Sequence, residues 1–506
     1  MFHLRTTKTA SNATAVQIVR YNYRKRIVVK HIGSAHTPEE IISLKETARN
    51  WIEQETRQQR LFPEDIKLTL TPIEKCEYLD TRYSFIYETL SHLLRLLQFD
   101  IPHNQLLLDL VIMRIIKPVS KLESLEYLSE MFGITYKRGN LYEIISSFSA
   151  LKNIVEKKAV MFAKQNLKFD FSIVFYDVTT LYFESFRQDR DEFRKPGFSK
   201  DNKANQPQIV IGLIVTKEGF PVSYDVFAGN TFEGKTFIPT ITKFKNTYEI
   251  KNLTVVADAA MISYPNVQSL IANNLSYIVG GRLASLKKSE IKEVNEKLFG
   301  REEILKKLKK KDGLSTRIET DRGTLICDFS FKRYQKDKRE MDKQIVKAKK
   351  LLEENEGTKR VKFIKNKDDE KTEQVLNTNL IEKTKQLLGI KGYYTNLTDE
   401  TDKAIIDHYH SLWKVEKAFR IAKSDLEARP VFHHKKENIL AHILICFMAL
   451  AICKYMELKT GKSTKKIVKL LKSITEARMK NLLTGKIFLM RKEVSDEVNR
   501  LQQLLL

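Results

Sequence analysis

Phe171-Ser-Ile-Val-Phe-Tyr-Asp177 is an apolar run that ends on a carboxylate, and Val178-Thr-Thr-Leu-Tyr-Phe-Glu184 follows it directly. A short segment rich in aromatic and β-branched residues reads as a buried strand, so the aspartate projects from a rigid strand end. The pattern recurs in Leu253-Thr-Val-Val-Ala-Asp258, followed by Ala259-Ala-Met-Ile-Ser263. Between the two, Ile209-Val-Ile-Gly-Leu-Ile-Val215 and Phe220-Pro-Val-Ser-Tyr-Asp-Val-Phe227 read as paired strands joined at Lys217-Glu-Gly219, and Ser276-Tyr-Ile-Val-Gly280 supplies another strand. Helical periodicity lies at about 235–246 and 264–273. Strand, two hairpin-linked strands, helix, strand, helix, strand is the element order of a ribonuclease-H-like α/β fold.

A third acid, Glu416, sits in the helical stretch Tyr409-His-Ser-Leu-Trp-Lys-Val-Glu416-Lys-Ala-Phe-Arg-Ile-Ala-Lys423. On one continuous helix Tyr409, Glu416, Arg420 and Lys423 share a face, being 7, 4 and 3 residues apart. Asp177, Asp258 and Glu416 together suit a pair of divalent cations set for in-line attack on a phosphodiester. Tyr409, Lys414, Arg420 and Lys423 suit the phosphates of the strand being cut. Trp413, beside the acid, is read as a packing anchor before a base-stacking wedge. Glu184 and Asp225 are given supporting or surface roles.

Composition agrees. The 506 residues are 42% hydrophobic and 30% charged, which describes a globular chain rather than a disordered one. A net charge of +25 favours a polyanionic partner and salt-sensitive binding. Cys76, Cys327, Cys446 and Cys453 form no C-x-x-C pair, so neither a zinc finger nor a disulfide framework is indicated, which suits a reducing cytosol. Met1-Phe-His-Leu-Arg-Thr-Thr-Lys8 lacks the apolar stretch of a signal peptide. The longest apolar segment, Ile439 to Cys453, reads as a buried core helix, too short to span a bilayer. No membrane partner is expected, and the location implied is cytoplasmic, on the nucleoid of a prokaryote. Gly461-Lys-Ser-Thr464 lacks the upstream glycine and strand of a phosphate-binding loop and reads as a helix start. His433, His434 and His442 lack the companions of a metal site.

The organisation expected is a small α+β unit over 1–70, a helical and DNA-binding region over 71–165, and a catalytic domain in two parts, 166–284 and 391–460. A lysine-rich subdomain over 285–390 is inserted between them as a separate lobe, and a basic helical tail covers 461–506. The first unit shows a hairpin, Thr14 to Arg20 and Arg26 to Ile32, then a helix opened by Thr37-Pro-Glu-Glu40. Within the helical region, 120–148 reads either as a helix-turn-helix or as an ordinary all-α segment. In the insertion, Phe329–Tyr334 and Arg360–Lys365 suggest strands flanking a charged helix over 340–352. Runs such as Lys306–Lys311 and Lys365–Lys371 read as solvated faces or as phosphate contacts. The 81 residues from Asp177 to Asp258 fit the strand order above, whereas the 158 from Asp258 to Glu416 exceed one crossover.

The chain resembles the IS4-type transposases, and within them the IS1634 group. That family's helix carries tyrosine, arginine, glutamate and lysine with two, three and six residues between them. Tyr409, Glu416 and Lys423 fit this frame, and Leu412 replaces the arginine. Also similar to the group are Leu412-Trp413, Phe419-Arg420, Arg429-Pro-Val-Phe-His433, His442-Ile-Leu-Ile-Cys-Phe447, Asp177-Val-Thr-Thr-Leu-Tyr182, Gly229-Asn-Thr231 with Thr236, Ala257-Asp-Ala-Ala-Met-Ile-Ser263 and Phe2-His-Leu-Arg-Thr-Thr-Lys8. The resemblance implies that Asp177, Asp258 and Glu416 hold two magnesium ions, with manganese as a substitute. It further implies cutting of insertion-sequence ends, joining to target DNA, and double-stranded DNA bound by a homodimer in the end complex. An insertion between the second acid and the glutamate belongs to the same expectation. The competing readings are a ribonuclease-H-fold nuclease without strand transfer, and a DNA-binding regulator that has lost catalysis.

Overall fold

The computed structural model describes residues 2–506 apart from 23–24, 57–72, 185–192, 200–202, 204, 262, 300–313, 354–360 and 367–373. The expected end of the first unit near residue 70, the Lys306–Lys311 run and most of the Lys365–Lys371 run lie outside the described residues.

Three strands open the chain: β1 (Phe2–Lys8), β2 (Thr14–Asn22) and β3 (Lys25–Ala35) form an antiparallel sheet in that order. β1 carries no clear alternation, because Arg5, Thr6, Thr7 and Lys8 are consecutive polar residues. Helix α1 (Pro38–Thr56) packs on this sheet through Leu44 and Ala48. Its start is a capping box: the Glu40 amide donates to Thr37 Oγ1 at 3.3 Å, and Glu40 Oε2 accepts from the Thr37 amide at 3.4 Å.

After β4 (Cys76–Arg82) come α2 (Ser84–Leu96), α3 (Gln105–Ile116), α4 (Lys121–Phe132), α5 (Arg138–Ile144), a 3-10 turn over Ile145–Leu151 and α6 (Lys152–Asn166). α3 is buried on every side. α4 starts where Ser120 accepts from the Glu123 amide and stops at Gly133, whose φ of 74° is the left-handed cap that ends a helix. Only seven residues of α5 follow.

The central sheet contains β5 (Ile173–Tyr182), β6 (Gln208–Thr216), β7 (Pro221–Ala228), β8 (Thr254–Ala257), β9 (Ser276–Gly281), β10 (Leu314–Thr320), β11 (Gly323–Phe329) and, from the far side of the insertion, β14 (Ile390–Thr395). Helices α7 (Glu233–Thr247) and α8 (Tyr264–Ala272) connect β7 to β8 and β8 to β9. The spatial order is β10-β11-β14-β9-β8-β5-β6-β7. β5, β8 and β9 are mutually parallel, while β6, β7 and β14 run antiparallel to their neighbours. The mixed α/β architecture and the element order over 171–280 are as expected.

The inserted segment departs from expectation. It is not a lobe apart: β10 and β11 lengthen the central sheet, with β11 pairing along β14 and β14 along β9. Helix α9 (Lys288–Phe299) buries Ile291, Val294 and Leu298 in the main core. Phe329 ends β11, and the residues expected to extend a strand instead start α10 (Phe331–Glu353). The outer part, α10 with β12 (Ile364–Asn366), β13 (Gln374–Leu376) and α11 (Thr378–Gln386), has a small core of its own around Met341, Phe363 and Ile381.

Beyond β14 come α12 (Asp402–His410), α13 (Trp413–Arg420), a π-helical turn over Ile421–Asp425, and α14 (Lys436–Thr460). α14 is apolar and long enough to cross a membrane, but 94% of its apolar window is buried inside the protein, as expected of a core helix. Gly461 caps it and Ser463 precedes α15 (Thr464–Lys472), so Gly461–Thr464 is a helix boundary. The tail is not wholly helical. A hairpin of β15 (Glu476–Asn481) and β16 (Ile487–Arg491) precedes α16 (Asp496–Leu505), and β15 pairs with β4 from the other end of the chain.

Candidate active site

Asp177 and Asp258 are brought level by strand register. β5 and β8 run parallel, and their last paired residues are Tyr176 and Ala257, so the two aspartates occupy the next position on adjacent strands. β8 stops there, but β5 continues to Tyr182, with Asp177 opposite Leu213 of β6. Asp177 thus lies within its strand rather than past its end, at the level where the neighbour on the other side has peeled away.

Asp258 is exposed, and its Oδ1 is held by two donors: the Ala259 amide at 2.7 Å and the Tyr409 hydroxyl at 3.3 Å. Tyr409 reaches it from α12 across β9, where Gly280 makes room; a Cβ there would stand 2.4 Å from the phenol oxygen. Tyr409 is buried, and its hydroxyl is pushed well above the ordinary phenol range, first by burial and then by the Asp258 and Glu416 charges. It therefore remains a donor. The phenol expected from spacing to contact phosphate thus donates to the second acid.

On β5, Asp177 shares a face with Thr179 and Leu181. That face meets Phe419, Ala422 and Lys423, so the chain carrying Glu416 lies over the side of the sheet from which Asp177 projects. Glu416 itself is exposed on α13. Its charge and that of Asp258 both act on Tyr409 and Lys391. Among the described residues no group of three His, Cys, Asp or Glu side chains is compact enough to enclose one metal ion.

The expected single helix through Tyr409 and Lys423 is broken. α12 ends at His410, α13 begins at Trp413, and a π turn carries Lys423. Leu412, at the junction, is buried in the core and so cannot take the place of a phosphate-binding arginine. Trp413, expected to pack inside, is 52% exposed. Lys414 Nζ donates to the Lys217 carbonyl at 2.8 Å, in the β6–β7 turn. Arg420 is exposed and Lys423 half-buried. Asp225 is paired with Lys243 at 2.8 Å and Lys152 at 3.4 Å.

One neighbour was missed from sequence. Lys391 of β14 places its ammonium 4.5 Å from the Tyr409 ring centroid. Burial, then Arg333, pull its pKa down, while Asp328, Asp258 and Glu416 oppose them. A single lysine in the otherwise apolar run Ile390-Lys-Gly-Tyr-Tyr-Thr395 was the available signal.

A mixed sheet with two aspartates level on parallel strands, beneath a helix bearing a glutamate, defines an α/β protein with an acidic site on a basic chain. The family model described as Transposase DDE domain matches residues 168–452, and the chain belongs to that family. Among solved structures, the chain is similar to the Mos1 strand transfer complex at 12% identity and to the Mos1 transposase paired-end complex with left transposon end at 16%. Each likeness covers 46% of this chain and 66% of the other, with a TM-score of 0.16. The chain thus spans just under two thirds of those relatives. No curated protein matches it.

Proposed function

We propose that this chain is a DNA transposase of an insertion sequence, of the IS4 type and its IS1634 group, which cuts the ends of the element and joins them to target DNA. The observation that carries the reading is the level placement of Asp177 and Asp258 on neighbouring parallel strands under the helix of Glu416. The strand order β7-β6-β5-β8-β9 supports a ribonuclease-H-like catalytic domain, extended by the inserted strands.

The acids fit two hard cations better than one. Magnesium is commonly held by one or two carboxylates, with water and substrate phosphate completing its shell, so a compact group of three is not required. Asp177, Asp258 and Glu416 are the residues that would hold the pair, which when bound supplies an activated water or 3′-hydroxyl and neutralises the leaving oxygen. Around it the chain's own groups position and screen. The Tyr409 hydroxyl and the Ala259 amide fix Oδ1 of Asp258 and so orient its carboxylate. Lys391 offsets the summed negative charge of Asp258 and Glu416 before substrate arrives. Exposed Arg420, with Lys423, is suited to the phosphates flanking the cut.

End-to-target joining separates this reading from a nuclease without strand transfer. Purified protein, magnesium and linear duplexes carrying the DNA that flanks its gene should yield joined products in a supercoiled target. Cleavage without joining would favour the nuclease.

A further inference from the structure

The segment after the π turn folds against the helical region and encloses a cavity of about 300 Å³, lined by Arg114, Ser120, Lys121, Arg429, His433 and His442 among others. It is tied to the central sheet where Val431 bridges Phe183 and its amide donates to the Tyr182 carbonyl. Arg114 and Lys121 are 6% and 7% exposed. Lys121 Nζ lies 2.6 Å from His442 Nδ1, and His442 Nε2 lies 2.9 Å from the Ala428 carbonyl. A carbonyl only accepts, so Nε2 carries the ring proton and Nδ1 accepts from the lysine. His442 is therefore neutral and does not compensate the cations. Among the described residues neither Arg114 nor Lys121 forms an ion pair with a carboxylate, and Glu427, the acid at the rim, is exposed. Asn438, also on the wall, keeps a buried amide oxygen without a hydrogen-bond partner.

Burial, then the Arg114 charge, push the Lys121 ammonium well below its ordinary range, so two basic groups share this space with no carboxylate to hold their charge, and an anion entering the cavity would supply it. Their effect on neighbours is visible: burial, then Lys121 and Arg114, push His433 down to about 3. The guanidinium offers a planar fork and the ammonium a point charge, a pairing suited to phosphate oxygens. The first turn of α4, at Ser120 and Lys121, lines the same space, and a helix N-terminus favours an anion. We infer that this cavity is a binding site for a phosphate group, separate from the carboxylate centre. The shared chemistry is a phosphate oxyanion, supplied either by a DNA strand or by a free phosphate anion.

The test is thermal melting of the full chain in sodium phosphate against sodium chloride at equal ionic strength. Wild type should melt several degrees higher in phosphate, and Lys121→Met should lose that shift while remaining folded, since methionine keeps the length of the stem and removes only the amine. Should Lys121→Met fail to fold, half-buried Arg429→Gln serves the same comparison and should shrink the shift. Duplex affinity measured across a salt series then distinguishes the sources. A DNA phosphate in the cavity lowers the slope of log affinity against log salt by about one in the variant. An unchanged slope together with a lost phosphate shift assigns the site to a free anion. Equal melting of wild type in the two salts, or a variant that keeps the full shift, overturns the proposal.

Discussion

At the residue scale, Tyr409 is where the structure most changes the chemistry expected of a side chain. On sequence spacing its phenol belongs with the phosphate contacts; in the fold it is buried and donates to Asp258. A hydrogen bond to a charged group contributes about 1.5–3 kcal/mol. Tyr409→Phe should therefore lower cleavage by roughly tenfold or more and raise the magnesium needed for half-maximal rate, with DNA affinity unchanged. A variant that bound DNA poorly but kept its metal requirement would return Tyr409 to the phosphate role. Asp177 and Asp258 stood out because each follows an apolar run, and Glu416 because it lies in a helical frame of tyrosine, glutamate and lysine. The partner of Asp258 did not, because a tyrosine on an amphipathic stretch carries no mark of which way its hydroxyl points.

At the element scale, the stretch from Tyr409 to Lys423 shows how a local period misleads. Seven, four and three residues give one helical face only if the helix is unbroken, yet buried Leu412 sits at a junction and a π turn follows Arg420. A π turn holds more residues per turn than an α-helix, so Lys423 does not keep the phase that Glu416 sets. It lies instead on a cleft with Thr179 and Phe419. Lys423→Ala should weaken binding of end DNA and lower cleavage, with the magnesium requirement unchanged; normal DNA binding with a raised requirement would place the lysine at the metals. The strands β5 to β9 were readable because both faces are covered and their residues run nearly continuously apolar. β10 and β15 were not. Leu314-Ser-Thr-Arg-Ile-Glu-Thr320 buries only Ile318, and Glu476-Ala-Arg-Met-Lys-Asn481 buries the polar ends, Glu476 and Asn481, as well as Met479.

At the scale of the whole molecule, the two surprises are both long-range pairings that no local pattern records. The insertion returns at β14 beside β9 and carries β11 and β10 with it, so strands from a region expected to stand apart extend the sheet whose edge brings Lys391 of β14 to the site. The tail closes the chain onto its beginning: β15 pairs with β4, Arg491 of β16 joins Glu476 and Glu88, and Val498, Leu501 and Leu505 of α16 are buried in the main core. Each such apolar side chain contributes about 1.5–3 kcal/mol when buried. Removing residues 474–506 should thus lower the melting temperature by many degrees or leave the chain insoluble; a truncated protein melting like the full chain would show the tail to be dispensable. Above all these stands the carboxylate centre. The most direct measurement compares magnesium-dependent cleavage and DNA affinity for Asp177→Ala, Asp258→Ala and Glu416→Ala on duplexes carrying the element's ends. Each variant should lose cleavage and bind those ends at least as tightly as wild type, because the charge removed is negative; any one of the three cutting at the wild-type rate would contradict the assignment.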